Sequence, residues 1–318
     1  MRNKLNIRKI IKSIPAVNKL YIKWKWRERR VTLGKENPDK TFYVIRRATC
    51  KVGLFSYVMT NMGLVRQAVE KGYIPVIDMQ GNANTYLEDE EVGKINAWEF
   101  YFEQPCGFSL KDIANSKNVI LSKGLITSKS IYPGKEVAYN LESCIGWRTL
   151  FSKYLRVREE IESEVNRMYN KMFEGKRVLG VLCRGTDYIN NRPKNHPIQP
   201  EPLEVIKKAF EVMEQYHCEG IYLATEDEEI YQKFEEAFGD KLRVTQAKRC
   251  SESGNTNIND IGYQRERDRF LRGKEYLENI MLLARCDCLV AGSVGGTYGA
   301  ILMSKGYDYE YVYDLGVY

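Results

Sequence analysis

Short apolar runs recur at 178–183, 221–224, 242–244, 288–291 and 309–313, each bounded by polar or glycine-containing turns. Runs of this length read as buried strands. Between them, apolar residues return every three or four positions, the period of a helix with one buried face. Helices are predicted over 201–216, 228–238 and 275–285, the last with Leu277, Ile280, Met281 and Ala284 on one side, and over a stretch ending at Met303. Strand and helix alternate, which predicts a parallel sheet covered by helices. Residues 246–270 are polar and charged and read as a long mobile loop.

The first half is less regular. A strand at 42–46 precedes Gly53-Leu54-Phe55-Ser56-Tyr57 and a helical spacing through Met59, Met62, Val65 and Val69, which Gly72 closes. With a strand at 74–79 this makes a strand–helix–strand crossover. Residues 81–96 read as irregular, 96–104 and 109–113 as short helices around a loop with Pro105 and Gly107, and 119–121 as a strand. Residues 128–139 read as a loop, and 157–172 as a long amphipathic helix ending near Gly175. The division expected is a tail over 1–35, an α/β domain over 36–175 and a second, more regular α/β domain over 176–318.

Charge changes the picture at one end. Residues 1–30 hold 11 Lys and Arg and one acid, Glu28, while the other residues hold 38 bases and 41 acids. The basic character belongs to a tail, so nucleic acid is not an expected partner. The tail also holds Ile7, Ile10, Ile11, Leu20, Trp24 and Trp26. Such a mixture suits either an anionic membrane surface or a solvated arm lying on the body. Pro15 is expected to break any continuous helix there. No run reaches the roughly 20 apolar residues of a membrane span, and no secretory signal is evident. The 8 cysteines lack metal or redox spacing and fit reduced, cytoplasmic thiols. With 2 histidines, His196 and His217, a histidine-rich metal site cannot be built.

Three strand ends in the second half carry polar clusters, and in a doubly wound sheet such ends converge on one edge. Arg184-Gly185-Thr186-Asp187 ends the first run. Its arginine suits a phosphate, because the planar fork donates parallel charged hydrogen bonds, or it closes the turn by pairing with Asp187. Thr225-Glu226-Asp227-Glu228-Glu229 ends the second. Thr225 with Glu228 has a capping-box pattern, whereas Glu226 and Asp227 could accept hydrogen bonds from a ribose or base, or form a metal-binding carboxylate pair. Ser293-Val294-Gly295-Gly296-Thr297 ends the third. Its glycines would let backbone N–H groups and a helix start approach an anion, or it is a tight turn with Thr297 as cap. It is neither a Walker motif nor the G-x-G-x-x-G fingerprint, which argues against a dinucleotide oxidoreductase. The basic loop Arg192-Pro193-Lys194 leads to His196, either a hydrogen-bonding loop residue or a contributor to acid–base work.

In this order the three clusters resemble the donor-binding half of inverting α1,6- and protein O-fucosyltransferases, including the bacterial nodulation enzymes. The family's His-x-Arg-Arg-Thr-Asp type motif corresponds to Leu182-Cys183-Arg184-Gly185-Thr186-Asp187, and a His-Pro-Ile found in some relatives corresponds to His196-Pro197-Ile198. Ala224-Thr225-Glu226-Asp227 matches the family's Ala-Thr-Asp-Asp, and 283–300 its helix, strand and serine turn. The resemblance covers roughly 178–305, with a weaker likeness at Gly53-Leu54-Phe55-Ser56. Leu182 stands where the family has histidine and Gly185 where it has a second arginine, and the place of an acidic residue proposed in some members falls near Arg192.

The resemblance implies a GT-B fold, two facing Rossmann-like domains with a cleft between them, the first domain holding the acceptor and the second the donor. It implies inverting, metal-independent sugar transfer from GDP-fucose or a similar nucleotide sugar to a glycan or lipid-linked glycan in polysaccharide biosynthesis, with no cofactor. Arg184 would neutralise the departing diphosphate, held by Ser293, Gly295, Gly296 and Thr297, and Gly53 and Thr186 would also bind the donor. Glu226, Asp227 and Asn279 would lie near ribose or guanine. Asp187 and His196 would serve loop order or proton transfer. A non-catalytic nucleotide- or polysaccharide-binding protein of the same fold is the alternative. A tail touching the membrane would place the protein at its inner face.

Overall fold

A computed structural model describes residues 15–49, 51–125, 131–173, 175–185, 192, 194–250 and 262–318. The second half is a sheet of five parallel strands in the order β7-β6-β5-β8-β9. These are β5 (Val178–Leu182), β6 (Gly220–Ala224), β7 (Leu242–Arg243), β8 (Cys288–Gly292) and β9 (Tyr309–Tyr313). The order reverses direction between β5 and β8, the switch point at which such sheets open a crevice. In β5, β6 and β8 every residue is buried, as a sheet covered on both faces requires.

Successive side chains of a strand face opposite ways, and the two faces have different partners. Leu179, Val181, Ile221, Leu223 and Val290 pack on helices Pro202–Gln215 and Glu228–Phe238. Val178, Leu182, Tyr222, Leu289 and Ala291 pack on helices α8 (Asp268–Leu283) and α9 (Gly295–Met303). That second core continues without interruption into the first half of the chain.

The first half holds β1 (Arg29–Val31), β2 (Phe42–Arg46), β3 (Ile74–Asp78) and β4 (Val119–Leu121), in the order β1-β4-β2-β3. Strands β2, β3 and β4 run parallel, and β1 lies antiparallel along β4. Helix α2 (Leu54–Glu70) is buried on most of its circumference, including Phe55, Val58, Asn61, Met62 and Val65. It is wedged between its own sheet and the second domain. Arg148 bonds across the interface through Nη2 to the Ile301 carbonyl at 2.9 Å, and the Tyr101 hydroxyl donates to the Phe270 carbonyl at 3.0 Å.

The structure corrects several expectations. Residues 29–31 of the expected tail are a sheet strand, so the first domain begins before residue 36. Helix α1 (Pro15–Lys25) lies within the expected tail, and the residues before Pro15, on which the expected helix break depends, lie outside the described residues. Helices Glu136–Tyr139 and Leu141–Tyr154 lie in a stretch read in part as loop. Residues 97–100 form a short 3₁₀ turn, and 109–113 are turns rather than a helix. Helix α8 begins at Asp268, seven residues before the expected start, because its charged first turns are ion-paired. Residues 251–261 of the expected loop lie outside the described residues.

Candidate functional site

The register brings the three clusters together. Leu182 pairs with Ala224 on one side and with Ala291 on the other. Two residues further on, the three chains leave the sheet as Arg184, Glu226 and Ser293. Arg184 Nε lies 2.8 Å from Glu226 Oε1, with both side chains mostly buried. The Gly185 N–H points at the same oxygen, at 3.3 Å. Glu226 therefore forms an ion pair with the guanidinium on its Nε side. Glu226 is itself fixed from behind, because the Cys250 N–H donates to its carbonyl at 2.8 Å.

Asp227 has a different job from its neighbour. Its Oδ1 accepts from the N–H groups of Glu229 and Ile230, at 2.9 and 3.1 Å, which makes it the cap of helix Glu228–Phe238. The cap is thus Asp227 and not Thr225, whose hydroxyl accepts from the Asp227 N–H at 3.2 Å. Asn279 is tied into the sheet edge, its Oδ1 accepting from the hydroxyls of Tyr222 at 2.7 Å and Thr245 at 2.8 Å.

The hydroxyls of the glycine turn are engaged within it. The Thr297 hydroxyl is buried and donates to the Gly292 carbonyl at 2.5 Å. Ser293 is buried with its Oγ 2.5 Å from the Tyr298 hydroxyl. Burial pushes the Tyr298 phenol up to about 12, so it stays protonated. These hydroxyls brace the turn from inside. The first α9 bond among these residues is Tyr298 N–H to Val294 carbonyl, so the N–H groups of Gly295, Gly296 and Thr297 precede it. An anion is favoured there by the helix dipole.

The first domain closes on this turn. A Cβ on Gly295 would lie 3.6 Å from Phe55 Cβ, and one on Gly299 would lie 2.1 Å from Phe55 Cε1. The Gly53 turn, which starts α2, therefore meets the start of α9. At Gly53 itself nothing lies within 4 Å of a would-be Cβ, and its backbone is ordinary extended chain.

Of the remaining expected residues, Thr186 and Asp187 lie outside the described residues. His196 is exposed, on a segment that pairs with the last residues of the chain: its carbonyl accepts from the Tyr318 N–H at 3.1 Å. Cys183, beside Arg184, is buried and its thiol is pushed far up by desolvation, so it is no nucleophile. Among the described residues no cluster of three or more His, Cys, Asp or Glu could hold a metal ion. A groove of about 870 Å³ lined by Arg148, Arg285 and Lys305 sits at the other end of α9, away from the strand carboxyl ends.

Two contributors escaped the sequence reading. Arg47 follows β2 and holds the first turn of α2 through bonds to the Ser56 carbonyl at 2.8 Å and the Thr60 hydroxyl at 3.0 Å. Its only sequence signal is a cation directly after a strand. Gln199 is buried behind the third cluster, where its Oε1 would lie 2.1 Å from a Cβ on Gly292. Nothing in its flanking residues marks it.

No protein-family model matches the chain, and no curated protein matches it. Solved structures do match in fold. NodZ α1,6-fucosyltransferase co-crystallized with GDP aligns with a TM-score of 0.50 and 16% identity, over 83% of this chain and 93% of that one. Fucosyltransferase NodZ from Bradyrhizobium gives 0.49 and 15%, over 83% and 94%. A variant of Arabidopsis thaliana FUT1 in complex with GDP gives 0.49 and 9%, over 86% and 70%. The chain has the GT-B fold, an α/β architecture of two facing domains with a cleft between them.

Proposed function

We propose that the chain is an inverting glycosyltransferase that moves fucose from GDP-fucose to a glycan hydroxyl. One observation carries the reading: Arg184, paired with Glu226, and the glycine start of α9 sit at adjacent strand ends where the first domain packs against the second. The fold is shared with a fucosyltransferase crystallised with GDP, which supports the choice of donor.

In this reading the N–H groups of Gly295 and Gly296 hold the diphosphate and Arg184 forks onto it. The acceptor oxygen forms a bond to the anomeric carbon as the bond from that carbon to the β-phosphate oxygen breaks. GDP leaves with the electron pair, and the acceptor proton passes to a base, for which Asp187 is the candidate. Charge grows on the diphosphate as it departs, so a fixed guanidinium is worth more in the transition state than in the bound donor. Glu226 and Asn279 border the nucleoside. The acceptor belongs to polysaccharide biosynthesis.

The test is release of GDP from GDP-fucose, with other GDP- and UDP-sugars as comparisons and with chelator present. GDP release unaffected by chelator is expected. A strict requirement for Mg²⁺ or Mn²⁺ would overturn the metal-free scheme and turn attention to Glu226 and Asp227. A second reading is favoured by Leu182 and Gly185, where the family's histidine and second arginine are missing: binding of the nucleotide sugar without turnover. Tight GDP-fucose binding with no GDP release, across a panel of glycan acceptors, would establish it.

A further inference from the structure

Helix α1 carries an apolar stripe that the body does not cover. Val17, Leu20, Tyr21 and Trp24 recur at the spacing of one helix face. Leu20 is 68% exposed, Trp24 56% and Val17 40%. Lys19, Lys23 and Lys25 lie outside that stripe, and Arg27 stacks over the Trp24 ring at 4.6 Å.

The helix is not a loose arm. Its last turn runs into Trp26, which is buried against Gly124 so closely that a Cβ there would lie 2.1 Å from the indole Cε3. Arg46 covers the same ring at 5.4 Å, and the Trp26 carbonyl accepts from the Gly124 N–H at 2.9 Å. Three residues later the chain enters the sheet as β1. The helix is therefore pinned at the carboxyl edge of β2 and β4. That is the edge on which the Gly53 turn meets α9.

Charge identifies the occupant of the stripe. Residues 1–30 carry 11 Lys and Arg against Glu28 alone, while the remainder has an excess of 3 acids. An apolar face within a cationic belt, on a body of opposite sign, complements an anionic lipid surface. A second copy of the chain would have to bring the same belt against itself.

We propose that α1 docks in the plane of an anionic membrane surface, with Leu20 and Trp24 at the headgroup boundary, and holds the crevice beside lipid-linked glycans. The choice of acceptor rests on the glycosyl-transfer reading, but the docking does not. The test is sedimentation of the full chain with phosphatidylcholine vesicles, with and without phosphatidylglycerol, alongside the double variant Leu20→Ser/Trp24→Ser. The native chain should pellet with the anionic vesicles, less so in high salt, and the variant should partition roughly tenfold less. The thermal shift caused by GDP should be the same in both. Equal partition of the two forms, or no preference for anionic lipid, overturns the proposal. So does a native dimer that the variant dissociates while vesicle binding is unaltered. Vesicle binding without GDP release from GDP-fucose would leave the docking standing and remove the transfer reading.

Discussion

Gly185 lies so close to Asp227 that a Cβ on it would sit 2.2 Å from Asp227 Oδ2. The position therefore has no room for a side chain unless Asp227 moves. Asp227 is committed to capping the helix after β6, so it cannot swing away without losing two hydrogen bonds. Gly185→Ala is expected to cost about 1–3 kcal/mol, the usual penalty of forcing extra volume into a packed site. Thermal denaturation measures the loss, and the GDP-induced shift should shrink with it. Gly185→Ala combined with Asp227→Ser, which keeps a short capping group, should recover part of that stability. An alanine variant as stable as the native chain would show that Asp227 yields freely.

Arg184 and Glu226 act together, and their variants should separate two roles. Arg184→Ala should lower kcat by about 10²–10³-fold, the scale for removing one preorganised charge donor. Arg184→Lys should also be impaired, because an ammonium cannot reproduce the fork or be held along its Nε edge. Glu226→Gln keeps an acceptor for the guanidinium but weakens its hold, so the loss should be smaller than for Arg184→Ala. Steady-state kinetics on GDP-fucose decide the matter. If Arg184→Ala raised KM alone, the arginine would bind the donor without serving the transition state.

The strands of the second domain were legible because buried parallel strands read as unbroken apolar runs. Strand β1 was not, because Arg29 and Arg30 on this sheet edge are exposed and look like tail. Helix Leu141–Tyr154 buries only Cys144, Trp147 and Phe151, a stripe too thin to stand out from its polar flanks. At the site, the residue types at the strand ends were visible, and so was their convergence. Their division of labour was not. Asp227, Ser293 and Thr297 spend hydrogen bonds on their own turns, and that depends on backbone geometry which residue identity does not encode.

The contact between Phe55 and Gly299 sets how closely the two domains approach. Phe55 is fully buried, and its ring occupies the space a side chain on Gly299 would need. Phe55→Ala should cost about 3–5 kcal/mol through the cavity it leaves. Gly299→Ala should cost less alone, and in the double variant the new methyl group should partly fill the hole. A coupling of about 1 kcal/mol or more from the double-mutant cycle is expected. Additive effects would mean that the domains separate far enough for the pair not to meet.

Glu278 supplies a prediction about pH. It is buried on α8, with Oε1 2.5 Å from Lys274 Nζ, and Lys274 also reaches Glu164 at 2.8 Å. Desolvation raises the Glu278 carboxyl above its ordinary value, Lys274 opposes this, and the nearby Glu164 adds to it. A raised folded-state value means that the native chain holds this proton more tightly than the unfolded chain. Its stabilising contribution is therefore fully present below the unfolded carboxylate value, about 4.3, and is lost as pH rises through the raised value. Glu278→Gln removes that titration while keeping a hydrogen-bonding side chain. The melting temperature of the variant relative to the native chain should rise between about pH 4 and about pH 7, since groups shared by both proteins cancel in the difference. A relative melting temperature that falls over this range would mean that attraction to Lys274 outweighs burial and holds the carboxyl below its ordinary value.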